Sequence, residues 1–138
     1  MTTDDPPAPI VVGVDGSDHS RRALAWAVDE AELRGTRVRA VLTWSYMGEA
    51  DSLLGVGTTD ADARAALDDV LSDLGDRAAL VDPVAVNDLA VHGLLDASKD
   101  AAMLVVGSRG RGGIKGLLLG SVSRTLVERA TVPVVVVR

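Results

Sequence analysis

Residues 105–122 read VVGSRGRGGIKGLLLGSV: an apolar run ends at Gly107, a glycine-rich basic loop follows, and Gly120-Ser121 opens an expected helix. Six glycines (107, 110, 112, 113, 116 and 120) allow positive φ and close approach of backbone N–H groups to an anion, where a Cβ would obstruct. A helix starting near Ser121 adds free amide donors and the positive end of its dipole. Ser121 and Ser123 add hydroxyls, and Arg109, Arg111 and Lys115 form a cationic patch in a chain of net charge −6. The loop begins beyond the carboxyl end of a strand, where open α/β sheets place their ligands. A flexible surface loop of the same composition is the competing reading. Neither of the standard phosphate motifs is present, because Lys115 precedes Gly116 rather than Ser or Thr and no G-x-G-x-x-G occurs.

Outward from this loop the chain alternates strands and helices. Ile10 to Val14 form an apolar strand that stops at Asp15-Gly16-Ser17, where Asp15 either makes an Asx turn or faces a ligand. Ser20 is the expected cap of a helix from Arg21 to Arg34, with Leu24, Ala27, Val28 and Ala31 on one face, Trp26 beside it and Gly35 as stop. Arg37 to Trp44 give a second strand, and residues 45–58 a loop that is either a lid or an ordinary connection. A second helix runs from Thr59 or Asp60 to Leu74, its acidic outer face matching no calcium loop. A weak edge strand around Pro83 to Val86 and a helix from Val91 to Asp100 follow, with His92 structural or solvent-facing. Met103 to Val106 are a strand buried on both faces, and after the Gly120 helix Pro133 to Val137 supply a fifth strand. This alternation implies an α/β fold, a parallel, doubly wound sheet with right-handed crossovers.

At 138 residues the chain makes one domain, with residues 1–8 a disordered acidic, proline-rich tail and residues 9–138 the folded unit. Cysteine is absent and there are two histidines, so disulfides and Cys/His zinc sites are excluded. Phe is also absent, and with Trp26, Trp44 and Tyr46 as the aromatics on an acidic chain, single-stranded nucleic acid has no stacking platform. No apolar run reaches the roughly 18 residues of a membrane span and no signal sequence opens the chain, so no membrane partner and a cytoplasmic location are expected.

The spacing Gly107-x2-Gly110-x9-Gly120-Ser121, in the context VVGSRGRGG...GLLLGSVS, resembles the ATP-binding signature of the universal stress protein family, and the resemblance runs from Ile10 to Val137. Asn87-Asp88-Leu89-Ala90 departs from the Gly-x-Pro-Ala element that the family often carries. The resemblance implies a five-stranded sheet in the order 3-2-1-4-5, flavodoxin-like and related to the adenine nucleotide α-hydrolase-like fold. It implies ATP as ligand, with or without Mg2+, and a homodimer paired through Val134 to Val137. The implied site comprises Gly13, Val14 and Asp15 at the first strand end and Thr43 as a backbone partner for adenine. Gly107, Arg109 and Gly110 are implied for ribose and phosphates, and Gly120, Ser121, Val122 and Ser123 for the phosphate side. No residue has an implied catalytic role: a nucleotide-regulated stress-response module is the first reading. A slow ATPase or nucleotidyl-transferring enzyme, and a structural dimer that uses no nucleotide, are the alternatives. Neither a downstream partner nor a stress signal is legible.

Overall fold

The computed structural model describes residues 5–45, 59–110 and 119–138. Its elements are β1 (Ile10–Gly13), α1 (Asp18–Arg34), β2 (Val38–Trp44), α2 (Asp60–Ser72), β3 (Val81–Asn87), α3 (Ala90–Ala97), β4 (Met103–Gly107), α4 (Ser121–Arg129) and β5 (Val134–Val137). The five strands form one parallel sheet in the order β3-β2-β1-β4-β5, as the family resemblance implied. β1 pairs with β2 from Ile10 against Val38 and with β4 from Ile10 against Met103, so the winding reverses between β1 and β4.

Two apolar layers hold helices on both faces. Ile10, Val12, Val38, Ala40, Leu42 and Val105 pack with Leu24, Ala27 and Val28 of α1 and with Ala63, Leu67 and Val70 of α2. Val11, Val41, Leu104 and Val106 pack with Leu94 of α3 and Leu126 of α4. Every residue of β1 and β4 is buried, which is why these strands are continuous apolar runs rather than alternating ones. Trp26 is partly buried against the first layer, a packing role.

Local boundaries differ from expectation for identifiable reasons. Gly16 turns the chain at φ 85°, so α1 begins earlier and Ser17, not Ser20, is its cap, accepting from the Ser20 amide at 3.3 Å. Ser20 is buried one turn inside the helix. Gly35, at φ 68°, ends α1 as expected. α2 starts with a capping box between Thr59 and Asp62 but stops at Ser72, because the chain tightens into a 3₁₀ segment over Gly75–Leu80. β3 extends over Val81–Asn87 with Pro83 inside it, tolerated because β2 is its sole strand neighbour. α3 is the shorter Ala90–Ala97. The acidic face of α2 is partly neutralised: Arg21 of α1 bridges Asp69 and Asp73, each at 2.6 Å, and those bonds raise the Arg21 pKa.

Candidate functional site

The sheet brings the ends of β1 and β4 side by side, and the residues that follow each strand meet. Past β1, the Val14 amide still donates to the Val41 carbonyl at 2.9 Å, which carries Asp15 to the lip of the sheet. Asp15 is 4% exposed, and its Oδ1 accepts from the Ser17 amide at 2.9 Å, an Asx turn. Its Oδ2 lies against Gly110: a Cβ added there would sit 2.7 Å from it. The turn reading and the site reading of Asp15 are therefore compatible, one oxygen closing the turn and the other meeting the glycine loop 95 residues further along.

Past β4, Ser108 joins three elements. It is 4% exposed, its amide donates to the Val137 carbonyl of β5 at 2.8 Å, and its carbonyl accepts from the Gly120 amide at 2.7 Å. The sequence reading missed Ser108; its one signal was a small polar residue directly after a buried strand. Ser123 completes the clamp, its buried hydroxyl donating to the Gly107 carbonyl at 2.7 Å. These bonds fix the first turn of α4 over the end of β4.

The glycines act differently from the expectation of positive φ. Among the described residues positive φ occurs at Gly16, Gly35 and Gly75, not at Gly107, Gly110 or Gly120. Gly107 lacks a Cβ because α1 crosses there, with the His19 backbone carbon 2.9 Å from where the Cβ would be, and Gly13 is similarly crowded by Leu94 Cδ1 at 2.9 Å. Substituting Gly107 therefore disturbs packing as well as any ligand. Gly120 caps α4 with φ −68° and ψ 164°, and an added Cβ would meet the Arg109 Cα at an ordinary 3.5 Å. Among the described residues nothing demands glycine at that position.

α4 has no side chain capping its start. The amides of Ser121, Val122 and Ser123 belong to the first helical turn and lack intrahelical acceptors, so they and the helix dipole present partial positive charge to whatever lies above them. The Gly120 amide and the Ser123 hydroxyl are already engaged, which leaves the backbone of the first turn and the exposed Ser121 side chain as donors. Arg109 is half-buried beside Gly120. Thr43 is fully buried, its methyl 2.7 Å from where a Cβ on Gly93 of α3 would stand, so the side chain is a packing group and only its backbone suits a ligand. Arg111, Lys115, the remaining loop glycines and residues 46–58 of the expected lid or connection lie outside the described residues. His92 is exposed, with Nδ1 2.5 Å from Asp88 Oδ2, in keeping with a solvent-facing role.

An acid and a glycine loop meet at the switch point of a 3-2-1-4-5 sheet, beside a helix start with no side-chain cap, and define a doubly wound α/β protein with a crevice at that point. The profile of the Universal stress protein family matches residues 8–138, and the chain belongs to that family. Two universal stress proteins of Mycobacterium tuberculosis are 41% and 38% identical to it over 135 residues, covering 95% of this chain and 45% of theirs. The chain thus spans under half the length of these curated relatives. Among solved structures, a universal stress protein from Archaeoglobus fulgidus superposes with TM-score 0.73 at 29% identity, covering 96% of this chain and 95% of that one. The universal stress protein from Archaeoglobus fulgidus in complex with dAMP gives 0.71 at 27% identity, with 95% and 98% covered. A universal stress protein in complex with cAMP gives 0.68 at 26% identity, with 97% and 98% covered.

Proposed function

We propose that this protein is an ATP-binding module whose nucleotide state regulates its interactions in a stress response, and that it does not turn the nucleotide over. The observation that carries the reading is the meeting of Asp15 with Gly110 directly beside the open first turn of α4. Solved relatives described in complex with dAMP and with cAMP support an adenine nucleotide as the ligand class. In this reading the triphosphate lies over the amides of Ser121, Val122 and Ser123, and Asp15 lies at the ribose side with Gly13, Val14, Gly107, Arg109 and Gly110. The backbone of Thr43 meets the adenine.

The residues fit such a ligand. A carboxylate beside a sugar accepts hydroxyl hydrogens, and helix amides match phosphate oxygens, which only accept. Among the described residues no group of three His, Cys, Asp or Glu is placed to hold a metal, so Mg2+ would enter with the phosphates, which supply most of its oxygen ligands. In this reading Asp15 lies at the ribose side rather than at the terminal phosphate, which favours binding over turnover.

The same reading includes a homodimer through β5. Val134–Val137 form a sheet edge, half-buried in the single chain, and Val127 nearby in sequence is 50% exposed. No described helix is long and apolar enough to cross a membrane, and a cytoplasmic location is part of the same proposal. The test is to denature freshly purified protein and identify the released nucleotide by mass spectrometry, with calorimetric titration of the nucleotide-free protein. Retained ATP without accumulating ADP is expected. Absence of released nucleotide together with no heat of ATP binding refutes the proposal, and steady ADP production from added ATP refutes the non-enzymatic part.

A further inference from the structure

Between α3 and α4 lies a cleft of about 340 Å³, walled by Leu89 and Val122 and edged by His92, Ser121, Thr125 and Arg129. Its volume is in the range of small-molecule sites, roughly 300–1,000 Å³. The cleft shares Ser121 and Val122 with the phosphate end of the crevice and then runs along the flank of α4. Eight residue steps of helix separate Ser121 from Arg129, roughly 12 Å of rise, so the far end of the cleft lies beyond a phosphate seated on the first turn.

The chemistry of that far end is specific. Arg129 forms no ion pair or hydrogen bond with another described residue, so its guanidinium keeps its full set of donors. The Thr125 hydroxyl donates to the Ser121 carbonyl at 2.9 Å and so offers an acceptor to a ligand. Asp88 is engaged by the Leu89 amide at 2.7 Å and by His92, which holds its charge on the α3 side. Leu89, 38% exposed, gives the cleft an apolar wall that a phosphate alone leaves uncovered.

We infer that the crevice which takes ATP also accepts, and prefers, a nucleotide that carries a second nucleoside on its terminal phosphate, that nucleoside seated in the α3–α4 cleft with its acceptors on Arg129 and its ring on Leu89. This rests on the nucleotide reading of the crevice and names the ligand class more narrowly. The test is calorimetric titration of the wild-type protein with ATP and with diadenosine tetraphosphate. The doubly nucleosidic probe is expected to bind about tenfold more tightly than ATP, the gain of one charged hydrogen-bonding partner with apolar burial. Arg129→Ala should bring the probe to within about twofold of ATP and leave ATP itself unchanged, and Thr125→Trp, which fills the cleft, should do the same. Equal affinity of the wild type for both ligands, or an Arg129→Ala protein that keeps the preference, overturns the inference while the crevice reading stands. Failure of both ligands to bind overturns the two together.

Discussion

Gly110→Ala is the sharpest probe of the crevice, because the consequence of one methyl group follows from the geometry. The new Cβ would be 2.7 Å from Asp15 Oδ2, closer than such contacts occur, so either the carboxylate or the loop must move. Rotating the carboxylate breaks the 2.9 Å bond from the Ser17 amide that closes the Asx turn and precedes α1. Losing that charged hydrogen bond in a site where Asp15 is 4% exposed costs about 1.5–3 kcal/mol. Moving the loop instead separates Asp15 from the α4 side and weakens nucleotide binding. Thermal unfolding by circular dichroism should show the variant melting lower by roughly 4–10 °C for a domain of this size. ATP titration should show an affinity about tenfold lower or worse. A double-mutant cycle separates this contact from a general effect: in Asp15→Ala the opposing oxygen is gone, so adding Gly110→Ala should cost less than about 0.5 kcal/mol further. Additive losses across the cycle, or a Gly110→Ala protein with wild-type melting and ATP affinity, refute the proposed contact.

Gly120→Ala tests the opposite case, since φ −68° and a nearest contact of 3.5 Å leave room for the methyl: stability should stay within about 0.5 kcal/mol while ATP affinity drops, and a large loss of melting temperature refutes this account. For the dimer, the carbonyls of Pro133 and Val137 accept from β4, so residues 133, 135 and 137 turn their backbone inward and Val136 turns its N–H outward. Val136→Pro should therefore yield a folded monomer by analytical ultracentrifugation, whereas lysines at Val135 and Val137, which pack on the first apolar layer, would strike the core itself. A persistent Val136→Pro dimer removes β5 as the interface. Arg37 bonds the Asp82 carboxylate at 2.8 Å and holds its pKa below the ordinary range. A depressed carboxylate stabilises above its unfolded pKa and loses that contribution as pH falls through the folded one, so the stability gap between wild type and Arg37→Gln should be constant above about pH 5 and shrink below about pH 4. A gap independent of pH in denaturant titrations refutes the pairing.

Much of this protein is legible in its order of residues. Continuous apolar runs such as Met103 to Val106 announce strands covered on both faces, and helical spacing such as Leu24, Ala27, Val28 and Ala31 announces the helices between them, because burial imposes its period on the chain. Parallel winding follows from their alternation, and the glycine spacing from Gly107 to Ser121 marks the candidate site loop. The strand order came from family resemblance rather than from any local pattern, since nothing in β1 by itself says that β4 will be its neighbour. Other facts exist only once the chain is folded. Ser108 is an unremarkable serine until β5 and Gly120 converge on its backbone, and Ser123 is a free hydroxyl in sequence but a committed donor in space. The glycines show the same division: sequence marks where a Cβ is absent, whereas the reason differs at each site. His19 crowds Gly107, Asp15 crowds Gly110, and no described residue crowds Gly120. Which atom faces a missing side chain depends on contacts between segments far apart in sequence, and those are set by packing rather than by propensity.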